Sequence, residues 1–287
     1  MIPAAFDYVR VSSVDEAVQA LAQHGEDAKV LAGGHSLLPL MRLRLAYPSM
    51  LVDIGRVEEM RGVRDDGDHL VIGAATTHVD VIHDDLINRH CGIIAETVSQ
   101  VGDPQVRNRG TFGGGLAHGD AAGDMPALAL ALDAEFIVHS PSGRRTIPAG
   151  EFFVDYLQTA LNADEVLVEI RVPKLDDSWG FSYQKFHRVA QAWAIVGSCA
   201  LVRRDNGSIA EARIGLTHMG TTPVRAAASE QALAGASRDA VASAAEHAAD
   251  GTTPPEDLNA RADYRRHLAR VLTRRAVEAA LGAPAGA

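Results

Sequence analysis

Between Val101 and Val138 the chain reads VGDPQVRNRGTFGGGLAHGDAAGDMPALALALDAEFIV, with seven glycines from Gly102 to Gly123. Glycine has no Cβ, so a run this dense lets successive backbone N–H groups turn toward one point and approach an anion closely. An alanine- and leucine-rich helix is expected to follow, with Asp124 as its N-cap and Pro126 in its first turn. A second, shorter glycine loop lies in LAGGHSLLPLMRLRLA, residues 31 to 46, directly behind the apolar run AKVL. An isolated pair such as Gly33-Gly34 is ordinarily just a tight turn. Two such loops together point to a pyrophosphate. The chain has no GxxxxGK[ST], which removes the P-loop reading, and no GxGxxG, which weakens the Rossmann reading.

At 287 residues the chain exceeds the usual single-domain size of roughly 100 to 200 residues, so several packed units are expected. Residues 1–55 read as a βαβ unit with one further strand. Ser13 and Glu16 have the spacing of a capping box, Val14, Ala17, Val18 and Leu21 recur at helical period, and Gly25 is placed to end the helix. AKVLAGG and MLVDIG read as strands. Residues 56–177 form a second unit, with strands in HLVIGAATTH, EFIVHS and EVLVEIRVP and a helix in CGIIAETVSQVG. Residues 178–287 form a third. Its strands CALVRR and ARIGLTHM are joined through Asp205-Asn206-Gly207, and helices are expected at about 226–248 and 257–281.

With 37 acidic and 27 basic residues the formal charge is −10, and no basic stripe is present, so nucleic acid is not expected as a partner. The start lacks a signal-peptide pattern, and no stretch approaches the roughly 18 apolar residues of a membrane span, so a cytoplasmic location is expected. Cys91 and Cys199 alone cannot supply a zinc site or a four-thiolate cluster. Gly34-His35-Ser36 resembles a nucleophile elbow, but Leu38 stands where that elbow needs glycine, which excludes a hydrolase of that kind. His78, His83 and His118 show no metal-ligand spacing and read as surface histidines. Arg107 and Arg109 suit either phosphate or solvent, and Trp193 suits either a planar cofactor or the core.

The segments LAGGHSLLPLM and GTFGGGLAHGDAAGDMPALALALDA resemble the FAD-binding medium subunits of molybdenum hydroxylases of the xanthine dehydrogenase family, which usually read AGGHS or AGGTS and TIGGN. The resemblance extends over essentially the whole chain. Within the family it is nearest to the aerobic, molybdenum- and copper-containing carbon monoxide dehydrogenase branch, judged by MIPAAFDY, by AGGHSLLPLMRLRLA and by length.

The resemblance implies an α+β chain with the FAD-binding fold of the vanillyl-alcohol oxidase (PCMH) type: two α/β subdomains with FAD between them, and a C-terminal α+β domain covering the flavin. The family pattern matches Ala32, Gly33, Gly34, His35, Ser36 and Leu37 to the first pyrophosphate loop and Thr111, Phe112, Gly113, Gly114 and Gly115 to the second, and adds Thr77 to the cofactor-binding set. Asp124 matches an acidic residue that hydrogen-bonds the cofactor. Val166 and Leu167 match the backbone at the flavin edge, and Lys185 matches a cation near the ring. Trp193 matches an aromatic against the isoalloxazine. Three positions depart from the usual pattern: Phe112 replaces isoleucine, Gly115 replaces asparagine and Trp193 replaces tyrosine.

No catalytic residue and no metal ligand is expected on this chain. Electrons are expected to arrive from a small [2Fe-2S] subunit and leave by FAD to a quinone-type acceptor, with the molybdenum cofactor on a large subunit and the whole a dimer of heterotrimers, cytoplasmic or held at the inner membrane face by its partners. The two cysteines argue against relatives whose flavin subunit carries an inserted [4Fe-4S] loop. The alternatives are a nicotine, purine or aldehyde type of the same family, a self-standing flavin oxidase, or a nucleotide-binding module without redox chemistry.

Overall fold

The computed structural model describes residues 2–282. Its opening unit is β1 (Asp7–Arg10), α1 (Val14–His24), β2 (Ala28–Leu31), α2 (Leu37–Arg42) and β3 (Met50–Asp53), with the strands parallel in the order β1-β3-β2. The apolar stripe of α1, Val14, Ala17, Val18 and Leu21, is buried, and Gly25 ends the helix at φ +58°. The Ser13 hydroxyl accepts the Glu16 amide, as expected of the cap. The Glu16 carboxylate does not close the box on Ser13. It turns to Ser12, taking that residue's amide at 2.7 Å and its hydroxyl at 2.9 Å.

The second unit begins with β4 (Val63–Asp66) and β5 (His69–Gly73), followed by α3 (His78–His83), α4 (Asp85–His90), α5 (Ile93–Ser99), α6 (Pro104–Arg107), α7 (Phe112–Ala117) and α8 (Asp124–Ala131). It ends with β6 (Glu135–Ser140), β7 (Gly143–Pro148), α9 (Ala149–Phe152), β8 (Phe153–Asp155), β9 (Gln158–Thr159) and β10 (Val166–Pro173). Five strands form one antiparallel sheet, β4-β5-β10-β6-β7, which seats the last strand at the centre. Against β6, β10 carries a bulge between Leu167 and Glu169. The displaced Val168 carbonyl accepts the Ala74 amide at 2.9 Å, and the Ala74 carbonyl accepts Gly113 at 2.9 Å. Phe112 donates to the Thr76 carbonyl and His78 to that of Gly110, each at 2.9 Å. The segment beyond β5 thus clamps the second glycine loop to the sheet.

The third unit is β11 (Trp179–Phe186), β12 (Val196–Asp205), β13 (Ser208–Thr217), β14 (Val224–Arg225), α10 (Ala227–Leu233), α11 (Val241–Ala245) and α12 (Ala262–Gly282). Its strands form one antiparallel sheet in chain order. Residues 196–202 of β12 are all buried because both faces are covered. Cys199 and Leu201 join the core shared with the first two units, while Val196, Ala200 and Val202 join the core under α12, as the two-residue period of a strand requires. Two helical expectations are corrected. The stretch 226–248 is not one helix, since Gly235 at φ +75° lies in a break between α10 and α11. The last helix begins at Ala262, because Asp257 folds back to accept the Asn259 and Ala260 amides at 2.8 and 3.0 Å.

Candidate functional site

A cleft of about 1060 Å³ opens between the two glycine loops, at the upper end of the usual range for ligand pockets. Ala32, Gly33, Gly34, His35, Ser36 and Leu37 line one wall. Thr111, Gly113, Gly114, Gly115, Asp124, Val166, Leu167, Lys185 and Trp193 line the rest. Two residues named from the sequence stand behind the wall. Phe112 is buried in the core, and Thr77 caps α3, its hydroxyl accepting the Asp80 amide.

The loops touch directly. A Cβ on Gly33 would enter the Arg109 carbonyl and lie 2.7 Å from the Gly110 Cα, so only glycine allows this approach. Gly34, at φ +77°, then turns the chain into α2. The five amides from Gly33 to Leu37 have no hydrogen-bond partner among the described residues, and α2 has no side-chain cap. Five consecutive free donors on the wall of a cleft fit an anion such as a pyrophosphate.

The second loop differs. Gly113 donates to Ala74, Gly115 to the Thr111 carbonyl, and Gly114 to the Thr111 hydroxyl at 3.1 Å. The amides of Phe112 to Gly115 are therefore engaged within the protein, whereas that of Thr111 has no partner among the described residues. The loop's glycines serve close packing. A Cβ on Gly113 would strike Ala74 and one on Gly115 the Met125 side chain. The Thr111 hydroxyl, accepting from Gly114, keeps its own proton free to donate.

Asp124 does not cap α8; Gly123 holds that position. Its carboxylate, 4% exposed, accepts the Tyr183 hydroxyl at 2.6 Å and Lys185 Nζ at 2.8 Å. Lys185, 1% exposed, also donates to the Gln100 carbonyl at 3.0 Å. Burial raises the Asp124 carboxyl above its ordinary range while the ammonium and the phenol pull it back. Burial beside that carboxyl also lifts the Tyr183 phenol well above its usual value. Lys185 therefore lines the cleft as one half of a buried ion pair with Asp124. Sequence reasoning missed Tyr183 and Gln100, whose link to Lys185 and Asp124 exists only across the folded sheet.

His78 is likewise not at the surface. It lies buried beneath the second loop, within reach of Gly110 and Gly115, and burial holds its imidazole down to about 4. His118 lines the cleft with its ring 6.4 Å from that of Trp193, which is 54% exposed. Neither Arg107 nor Arg109 lines the cleft; Arg107 donates to the Val101 carbonyl at 3.0 Å.

Residues 4–175 match the family described as the FAD binding domain in molybdopterin dehydrogenase, and residues 181–280 match the CO dehydrogenase flavoprotein C-terminal domain. The chain is 43% identical to the carbon monoxide dehydrogenase medium chain of Hydrogenophaga pseudoflava and 39% identical to that of Afipia carboxidovorans, over 98% of this chain and 98% of each relative. A solved carbon monoxide dehydrogenase from Hydrogenophaga pseudoflava, lacking the Mo-pyranopterin moiety of its cofactor, superimposes with a TM-score of 0.96 at 45% identity, covering 98% of this chain and 99% of that one. With both of its parts matched and relatives alike from end to end, the chain belongs to the FAD-binding medium subunits of the molybdenum hydroxylases.

Proposed function

We propose that this chain is the FAD-carrying electron outlet of a molybdenum hydroxylase of the carbon monoxide dehydrogenase type. It takes electrons from a small [2Fe-2S] partner, while a large partner bears the molybdenum cofactor, and it passes them to a quinone-type acceptor. The assembly is a dimer of such heterotrimers. The observation that carries the reading is the row of five free amides, Gly33 to Leu37, facing a second loop in a cleft of dinucleotide size. We read residues 1–55, 56–177 and 178–287 as the units that build it, supported by one large sheet in each. The same proposal places the assembly in the cytoplasm, reaching the inner membrane face through its partners. Among the described residues no helix is long and apolar enough to cross a membrane.

Bound FAD supplies a store for two electrons that can be filled one at a time. In this reading the amides of Gly33 to Leu37 hold the pyrophosphate, and the Thr111 hydroxyl donates to it from the opposite loop. Phe112 and Thr77 support that loop from behind. Val166 and Leu167, paired with β6 just before the bulge at Val168, present rigid backbone at the flavin edge. Asp124 and Lys185, fixed by Tyr183 and Gln100, offer a buried dipole rather than a bare charge, which holds a polar ring edge in place without a net field. Trp193 walls the open side of the ring against water.

The test is to isolate the chain with its partners and follow the visible spectrum under carbon monoxide. Flavin bands that bleach with carbon monoxide, in a complex with two further polypeptides, are expected. Bleaching by a nicotine, purine or aldehyde substrate and not by carbon monoxide would select another branch of the family. A complex devoid of flavin would overturn the reading.

A further inference from the structure

The Tyr183 hydroxyl donates to Asp124 Oδ1 at 2.6 Å, yet of the two residues only Asp124 lines the cleft. Lys185 lines the same wall, while Tyr183 lies behind it, buried on β11. Burying a hydroxyl is unfavourable unless it is hydrogen-bonded, so phenylalanine would fill this core better if packing were all that mattered. The phenol oxygen acts through the carboxylate.

Two neighbours aim the phenol at Asp124. β11 is an edge strand, and α5 covers that edge: the Glu96 carboxylate accepts the Tyr183 amide at 2.7 Å, and the Gln100 side chain donates to the Tyr183 carbonyl at 3.2 Å. On the other side, Gly197 of β12 gives the ring its room. A Cβ there would lie 2.6 Å from the phenol oxygen, so a larger residue would push the hydroxyl off the carboxylate.

Asp124 Oδ2 accepts Lys185 Nζ at 2.8 Å, so each carboxylate oxygen has one of these donors. An ionised carboxylate accepts about four hydrogen bonds, which leaves room for a ligand in the cleft. A protonated one would itself donate, and it would leave the buried Lys185 ammonium without its counter-charge. Burial favours that proton, and Lys185, the Tyr183 hydroxyl and His187 just beyond β11 oppose it. Tyr183 is a steady donor, because burial and the adjoining carboxylate hold its phenol proton in place. Opposite it on β12, burial keeps Cys199 a neutral thiol, and the Glu96 carboxylate is turned to the backbone.

We propose that Tyr183 is a positioning residue for the cofactor: its hydroxyl holds Asp124 charged and oriented, so that the carboxylate accepts a hydrogen bond from a hydroxyl or N–H group of bound FAD. This role rests on the FAD reading above and deepens it by naming a residue outside the cleft that acts on the cofactor through Asp124.

The experiment is titration of FAD back into the purified complex after its removal, at pH 8 and pH 6, for wild type, Tyr183→Phe, Asp124→Asn and the double variant. Phenylalanine keeps the ring, so the core stays filled. Relative to wild type at the same pH, Tyr183→Phe is expected to bind FAD within about threefold at pH 8 and roughly tenfold or more weakly at pH 6, where Asp124 takes up the proton that the phenol had kept off. In the Asp124→Asn background, which has no charge to protect, the same change should cost less than about twofold at either pH. A merely structural tyrosine would behave otherwise. A loss in Tyr183→Phe that is equal at the two pH values, a loss of full size in the Asp124→Asn background, or binding equal to wild type throughout would overturn the proposal. Failure of the FAD reading is a different result, a wild-type complex that takes up no FAD at either pH.

Discussion

His78 shows how one buried group ties the site to pH. Its imidazole is held at about 4 against an ordinary 6.5 by burial under the second glycine loop, so the fold favours the neutral ring. The unfolded chain binds the proton more readily between those values. The stability that His78 contributes is therefore complete above pH 6.5 and is lost as pH falls toward 4. Over the whole window the loss is roughly 3 kcal/mol. Urea unfolding at pH 7 and pH 4.5 should show a smaller pH-dependent loss in His78→Leu than in wild type, and equal losses would refute the assignment. The glycine loops were legible because glycine reveals a backbone demand by its identity alone. His78 was not, because burial arises from Gly110 and Gly115, far along the chain. Tyr183 and Lys185, 59 and 61 positions from Asp124, were hidden as a network for the same reason.

At the scale of elements, local signals read well where nothing distant competes. The helix α1 follows from its apolar period and Gly25, and the hairpin between β12 and β13 from its turn residues, Asn206 at φ +48° and Gly207 at φ +86°. Gly207 has open space around its missing Cβ, so Gly207→Ala meets only backbone strain. The variant should lose about 1 kcal/mol in urea unfolding and keep its flavin. Loss of flavin would show that the hairpin is coupled to the cleft. The broken helices α10 and α11 were unreadable because alanine favours helix at every position, and only the turn at Gly235, closed by its amide on the Ile209 carbonyl of β13, sets the break. The strand β11 was overlooked because one face, Gly180, Ser182 and Gln184, is weakly apolar though covered by its own unit, and the other, including Tyr183, is matched to the core of the other units.

For the whole molecule, the α+β class and the family were legible from two motifs, whereas the assembly of the cleft was not. Its central sheet places β10 between β5 and β6, strands about 95 and 30 residues earlier in the chain respectively, and no local pattern specifies that order. The consequence is a site whose two loops, some 75 residues apart, meet at Gly33 and Arg109. The FAD reading stands or falls with this meeting of the loops. The most direct measurement is FAD released per chain from the purified complex, wild type against Gly33→Ala, with circular dichroism as a check on folding. About one FAD is expected in wild type and less than a tenth of that in a folded Gly33→Ala, whose added methyl would force the loops apart. A full complement of FAD in the variant, or none in wild type even after FAD is supplied, would contradict that reading.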